Sequence, residues 1–193
     1  MKLQERLPDG VTVGGKFYKC DFDFRNVLEM MDILARGDMM PEARNYKALK
    51  CVMKHPPKNV LPVLMAVRMT LFRGKASGDA HRITDFEQDS AMIRAAFKQA
   101  YGIDLYRDKL HWIEFSELLN SIPEGSRYAE VLSIRARPLP SPTKYNQAER
   151  EWLIKAKASV ALKLTEEEQK KQYEHDIGNL FEGLMSFIKK GSE

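Results

Sequence analysis

TDFEQDSAMIRAAFKQAYGIDLYRDKLHWIEFSELLNSIP, residues Thr84 to Pro123, places acids, aromatics and an adjacent His-Trp pair in two short amphipathic segments. Taken as chemistry, it is a carboxylate cluster beside a histidine; taken as architecture, it is two capped helices. The spacing favours architecture. Thr84-Asp85-Phe86-Glu87 has the form of a capping box, in which the Thr hydroxyl serves a free backbone N–H one turn in and the Glu reaches back. Asp85, Glu87 and Asp89 then complement the positive end of a helix dipole rather than hold a metal. Phe86, Ile93, Phe97 and Ala100 follow at helical spacing and are expected to face a core, with Gly102 suited to a left-handed cap. The next helix is marked by Leu110, Ile113 or Trp112, Glu117 and Leu118 and stops near Ser121, ahead of Pro123. Adjacent side chains on a helix project about 100° apart, so His111 and Trp112 do not act together on one ligand. His111 is expected to be a hydrogen-bonded packing residue rather than a base.

Upstream, Val11, Val13 and Phe17 flank Gly14-Gly15, a dipeptide that tolerates positive φ and predicts a two-residue β-hairpin. Asp23 can cap a helix through Phe24, Val27, Leu28, Met31 and Leu34, which Gly37 is placed to end. Pro41 fits the first turn of a second helix carrying Tyr46, Leu49, Val52 and Met53, and His55-Pro56-Pro57 stops it. Residues 58–73 are apolar on most sides and predict a helix buried by its neighbours, with Leu61 and Leu64 in the core and Gly74 as C-cap. GKASGDA, Gly74 to Ala80, reads as an exposed loop.

Downstream, a helix over Arg127–Arg137 precedes PLPSPT, residues Pro138 to Thr143, where three prolines forbid regular helix. Two further helices are expected over Tyr145–Leu164 and Glu166–Lys190, the second opened by a capping box at Thr165 and Glu168. The expectation is a mainly α fold. Residues 1–137 form a small helical domain with an N-terminal β-hairpin, 138–143 a proline-rich linker, and 144–193 a C-terminal helical extension.

A chain of 193 residues, 44% hydrophobic and 30% charged, suits an ordinary soluble domain with an appendage. No leading charged-then-apolar segment is present, and Cys20 and Cys51 do not make a disulfide framework, so a reducing cytoplasmic compartment is expected. The longest apolar run is broken by Pro62 and Arg68 and is too short to span a bilayer. The net charge is +4. From Lys144 onward nine basic residues face nine acidic ones, leaving 22 against 18 upstream with no block of like charge. A solvated surface is the expected reading, and nucleic acid is not an expected partner. There is no phosphate-binding Gly-rich loop, no Gly-x-Ser-x-Gly, no His-Glu-x-x-His and no Cys-x-x-Cys, so no catalytic residue, metal or cofactor is expected. Cys51 and His55 have the spacing of two zinc ligands but no second pair beside them.

Several of these pieces together resemble the bacteriophage gene-product-fifteen family of long-tailed phages and prophages. They are Leu7-Pro8, Gly14-Gly15, Asp23-Phe24-Arg25, Asp85-Phe86-Glu87-Gln88-Asp89, Ala95-Ala96-Phe97, Tyr101-Gly102-Ile103-Asp104-Leu105, and Leu110-His111-Trp112 followed by Phe115 and Leu118-Leu119, with Arg135 closing the set. The resemblance covers about residues 7 to 137. Ile113 stands where a second aromatic is expected after Trp112, which weakens an aromatic ligand platform there. The resemblance implies a place in the tail module and a non-enzymatic role as a tail assembly chaperone in the host bacterial cytoplasm. Its partners would be the tape-measure and tail-tube proteins, with self-association into a homo-oligomer as a further outcome. Two alternatives stand beside it: an adaptor at the head–tail joint or tail end that stays in the virion, and a DNA-binding regulator that reads with the helix at Arg127–Arg137.

An assembly chaperone needs adaptable apolar surface. Methionine suits this because its unbranched, polarisable side chain repacks around varied partners, although it fills cores equally well. Met30, Met31, Met39 and Met40 are the candidates. A second candidate is the stripe Ile177, Leu180, Phe181, Leu184 and Ile188 in DIGNLFEGLMSFIKK, which must be covered by its own chain or by a partner.

Overall fold

Gly14 and Gly15 carry the chain through left-handed conformations, φ 57° and 77°. They join β1 (Gly10–Val13) to antiparallel β2 (Lys16–Lys19) with Val13 opposite Lys16, the twist that a two-residue hairpin requires. This computed structural model describes residues 4–72 and 83–163. Among them the hairpin is the only sheet, and the remaining elements are helices, so the fold is mainly α. The described residues divide into two compact units, 4–72 with Asp89–Val131, and Ile83–Gln88 with 132–163.

In the first unit α1 (Phe24–Ala35) opens with Asp23, whose carboxylate accepts the Arg25 amide at 3.0 Å. It buries Phe24, Val27 and Met30. Gly37 does not end it: the chain leaves through Arg36 in extended conformation, φ −69° and ψ 125°. α2 (Pro41–Val52) has Pro41 in its first turn, packs on α1, and buries Ala48, Leu49 and Val52.

α3 (Val60–Phe72) packs on β1 and α2. Those neighbours cover one side only. Val63, Leu64, Val67 and Leu71 are buried, whereas Leu61, Met65 and Met69 are 55%, 58% and 65% exposed. The expected all-round burial, and Leu61 as a core residue, are therefore overturned. Residues four apart share a helix face, and this face has no covering element among the described residues.

α4 (Ser90–Tyr101) begins later than the Thr84 capping box predicts. Asp85 instead closes a separate turn, its Oδ1 accepting the amides of Glu87 at 3.0 Å and Gln88 at 2.7 Å, and Asp89 precedes the helix with a helical backbone. Ile93, Ala96 and Phe97 are buried, Ala100 is exposed, and Phe86 is half-buried in the other unit. The last turn is held by Tyr101, whose hydroxyl donates to the Leu118 carbonyl at 2.9 Å. Gly102, φ 69°, caps it through an N–H to Lys98 O.

α5 (Trp112–Asn120) starts beside α1 because the segments ahead of the two helices pair. The Phe24 amide donates to Leu110 O at 2.9 Å and the Trp112 amide to Phe22 O at 2.8 Å. The two N-cap residues, Asp23 and His111, thus stand opposite each other.

α6 (Arg127–Ala136) starts from Ser126, whose hydroxyl accepts the Ala129 amide, and the division between the units falls after its Val131. In the second unit Pro138–Thr143 forms neither helix nor strand, in keeping with its prolines, and leads to α7 (Gln147–Ser159), which buries Leu153. Arg137 pairs with Glu149 at 2.8 Å, Asn146 donates to Ser141 O, and Arg150 donates to Pro140 O. The proline-rich segment is therefore fastened to α7. The Gly74–Ala80 loop, the capping box at Thr165 and the stripe at Ile177, Leu180, Phe181, Leu184 and Ile188 lie outside the described residues.

Candidate functional site

Asp23-Phe24-Arg25, Tyr101-Gly102-Ile103-Asp104-Leu105 and Leu110-His111-Trp112 meet in the first unit, and they meet as structure. His111 is the N-cap of α5, its Nδ1 accepting the Ile113 amide at 3.1 Å. That places its proton on Nε2, 3.0 Å from the Pro8 carbonyl it donates to. A histidine with both nitrogens committed to backbone is a brace. Phe115 stacks on Phe24 at 4.7 Å and on Phe97 at 5.2 Å, with Trp112 tilted beside it at 5.7 Å. All four rings are buried, so they form the core of the unit and present no platform to a ligand.

The carboxylates are similarly engaged. Asp23 caps α1 and grips Arg25, while Asp85 closes its turn. Asp104 accepts the Tyr106 amide, which holds its carboxyl below the usual carboxylate range, with Lys98 adding to the effect. Among the described residues no group of three or more His, Cys, Asp or Glu side chains is placed to hold a metal ion. Cys20 and Cys51 are free thiols.

The model of the bacteriophage Gp15 protein family matches residues 3–162. The chain belongs to that family. The match runs through Pro138–Thr143 and α7, further than the resemblance near residues 7–137 reaches. No curated protein and no solved structure matches this Gp15-family chain.

The methionines separate sharply. Met30 is fully buried on α1 and belongs to the core of this Gp15-family protein, which removes it from any accessible surface. Met31 and Met39 are half-buried, and Met40 is 73% exposed. Two features escape sequence reasoning. One is the outward face of α3, Leu61, Met65 and Met69. The other is a cleft of about 600 Å³ beside β2, lined by that strand and by the end of α2.

The cations of α6 and its exit are occupied by their own chain. Arg127 reaches Glu130 at 3.4 Å and Arg137 reaches Glu149 at 2.8 Å. Arg135 donates to Val160 O at 2.6 Å and to Ile83 O at 3.0 Å, within the second unit. No described helix is long and apolar enough to cross a membrane.

Proposed function

We propose that this Gp15-family protein is a non-enzymatic phage tail assembly factor, a chaperone in the host bacterial cytoplasm that holds apolar helical segments of the tape-measure protein and recruits tail-tube subunits. The observation that carries the reading is the outward face of α3. Leu61, Met65 and Met69 recur every four residues and are each more than half exposed. A stripe of this kind matches the face of a second amphipathic helix, which docks through anchors three and four apart. Two of its three members are methionines, the side chains best suited to a long partner whose apolar segments differ from one another. Assembly by this route requires contact surface and no reactive group.

The test is co-expression with fragments of a phage tape-measure protein, followed by co-purification and sedimentation. The full chain is expected to keep an apolar helical fragment soluble in a defined complex. Met65→Glu with Met69→Glu is expected to abolish that complex while leaving the melting temperature unchanged. Retention of the complex by the double variant would exclude this face, and finding the protein in purified virions by mass spectrometry would favour an adaptor that stays in the particle.

A further inference from the structure

Among the described residues, the outer edge of β2 has no strand paired to it. In an antiparallel pair, alternate residues of a strand turn their N–H and C=O toward the partner and the rest turn them away. Cys20 donates its amide to Asp9 O at 2.8 Å, so Cys20, Tyr18 and Lys16 face β1. Phe17, Lys19 and Asp21 therefore face outward. Asp21 confirms the direction: its N–H donates to Val52 O at the end of α2, 2.8 Å away, and its C=O accepts from Asn26 Nδ2 at 3.4 Å. Beyond Asp21 the strand and α2 part, and the gap between them is the cleft of about 600 Å³. Every residue of β2 and none of β1 lines it, so the outward N–H and C=O of Phe17 and Lys19 open into this space.

Its charge is predominantly positive. Lys16, Lys19, Lys50 and Lys54 line the cleft against the single acid Asp21, and among the described residues none of the four lysines has an ion-pair partner. Phe17, 53% exposed, gives apolar surface among them, over a wall where Val52 and Met53 are buried. We infer that this cleft takes an extended acidic segment of a partner protein, which adds a strand to the free edge of β2 and sets its carboxylates against the four lysines. Strand addition derives affinity from main-chain hydrogen bonds and selectivity from alternate side chains, and a solvent-exposed edge is the template it needs. A nucleic-acid backbone would satisfy the lysines and leave Phe17 and Lys19 amides without a ladder partner. The inference is independent of the α3 face and of the assembly reading.

Fluorescence anisotropy with the full-length protein tests it, using a labelled seven-residue peptide of alternating Glu and Val. Saturable binding is expected, at least tenfold tighter than to the matching Lys/Val peptide. A Glu/Val peptide methylated on every amide nitrogen keeps the charge but loses the donors, and is expected to bind at least tenfold more weakly. Lys19→Glu with Lys50→Glu should weaken the Glu/Val peptide at least tenfold, with the melting temperature unchanged because both side chains are exposed. If that variant melts lower, Lys54→Glu alone carries the same test. No saturable binding, equal affinity for the two charge types, or indifference to N-methylation would overturn the inference. So would a 20-base-pair duplex that displaces the peptide while binding more tightly than it.

Discussion

Arg25 on α1 donates from Nη2 to the carbonyl oxygen of Leu105, 2.8 Å away in space and 80 positions away in the chain. The same nitrogen reaches Asp108 O at 2.9 Å, while Nη1 lies 3.1 Å from both carboxylate oxygens of Asp23. One guanidinium thus ties the cap of α1 to the turn that leads into α5. A lysine offers a point charge and loses this planar fork. Arg25→Lys should cost about 1 kcal/mol and Arg25→Ala about 1–2 kcal/mol, at the low end for bonds to a charged donor because the side chain is 38% exposed. Urea titration measures both. A loss below about 0.5 kcal/mol for the alanine variant would show that Asp104 and Asp108 hold the turn unaided.

Phe115 is 1% exposed and lies between Phe24 and Phe97, with interplanar angles of 9° and 15°. Removing it opens a cavity that three elements cannot close together. Phe115→Ala is expected to destabilise by about 3–5 kcal/mol. Phe115→Leu keeps most of the volume and loses the ring contacts, and should cost about 1–2 kcal/mol. Phe97→Ala, at a fully buried position, belongs with the first of these. A Phe115→Ala cost below about 1 kcal/mol would contradict a core role for the aromatic cluster.

What the sequence made legible was local. Gly14-Gly15, Asp23, Pro41 and Gly102 each specify a turn or cap through their own backbone freedom or side-chain reach, and each is found doing so. Asp85 displaced Thr84 because both can accept amide hydrogens a few residues on, and only the path of the chain into Ser90 decides between them. α3 departs from its expected burial for a related reason: apolar residues on most sides specify a helix but not how many neighbours it has. Met30 and Met31 are adjacent and chemically identical, yet one is fully buried and the other half-buried. The cleft beside β2 draws on residues 16–21 and 50–57, two stretches that no period links.

Gly10 lies in β1 under the ring of Phe17. A Cβ there would overlap the carbonyl oxygen of Tyr18 and come within 2.6 Å of Phe17 Cζ. The first contact is with backbone, so the hairpin itself must move. Gly10→Ala should cost about 1–3 kcal/mol, the range for overpacking. Gly37 is the internal control, since a Cβ there meets nothing within 4 Å and its φ is outside the left-handed region. Gly37→Ala should be neutral or stabilising by up to about 1 kcal/mol, through the lost freedom of the unfolded chain. Thermal melts of the two variants give the comparison directly. Equal effects would mean that the crowding around Gly10 relaxes without cost.

Cys20 is 7% exposed, and burial pushes its thiol from an ordinary value of 9.0 up to about 11, with the neighbouring charge of Asp9 acting in the same direction. Cys51 is half-buried and is raised by burial first and Glu29 second. Because the thiolate is the reacting species, native protein at pH 8 should be alkylated slowly at both positions and more slowly at Cys20, while urea-unfolded chain reacts at both. The raised value also has a stability consequence. Between about pH 9 and 11 the unfolded chain has released the Cys20 proton and the folded chain retains it, so the folded state binds more protons. The contribution is complete below pH 9 and is lost as pH rises through that window. Lysines and tyrosines titrate in the same range, so the informative quantity is the difference between the parent and Cys20→Ala. The parent is expected to lose more of its melting temperature between pH 8.5 and 10.5 than the variant does. Parallel curves for the two proteins, together with rapid alkylation of native Cys20, would show that the thiol is open to solvent and that the strand end at Cys20 is not held against its neighbours.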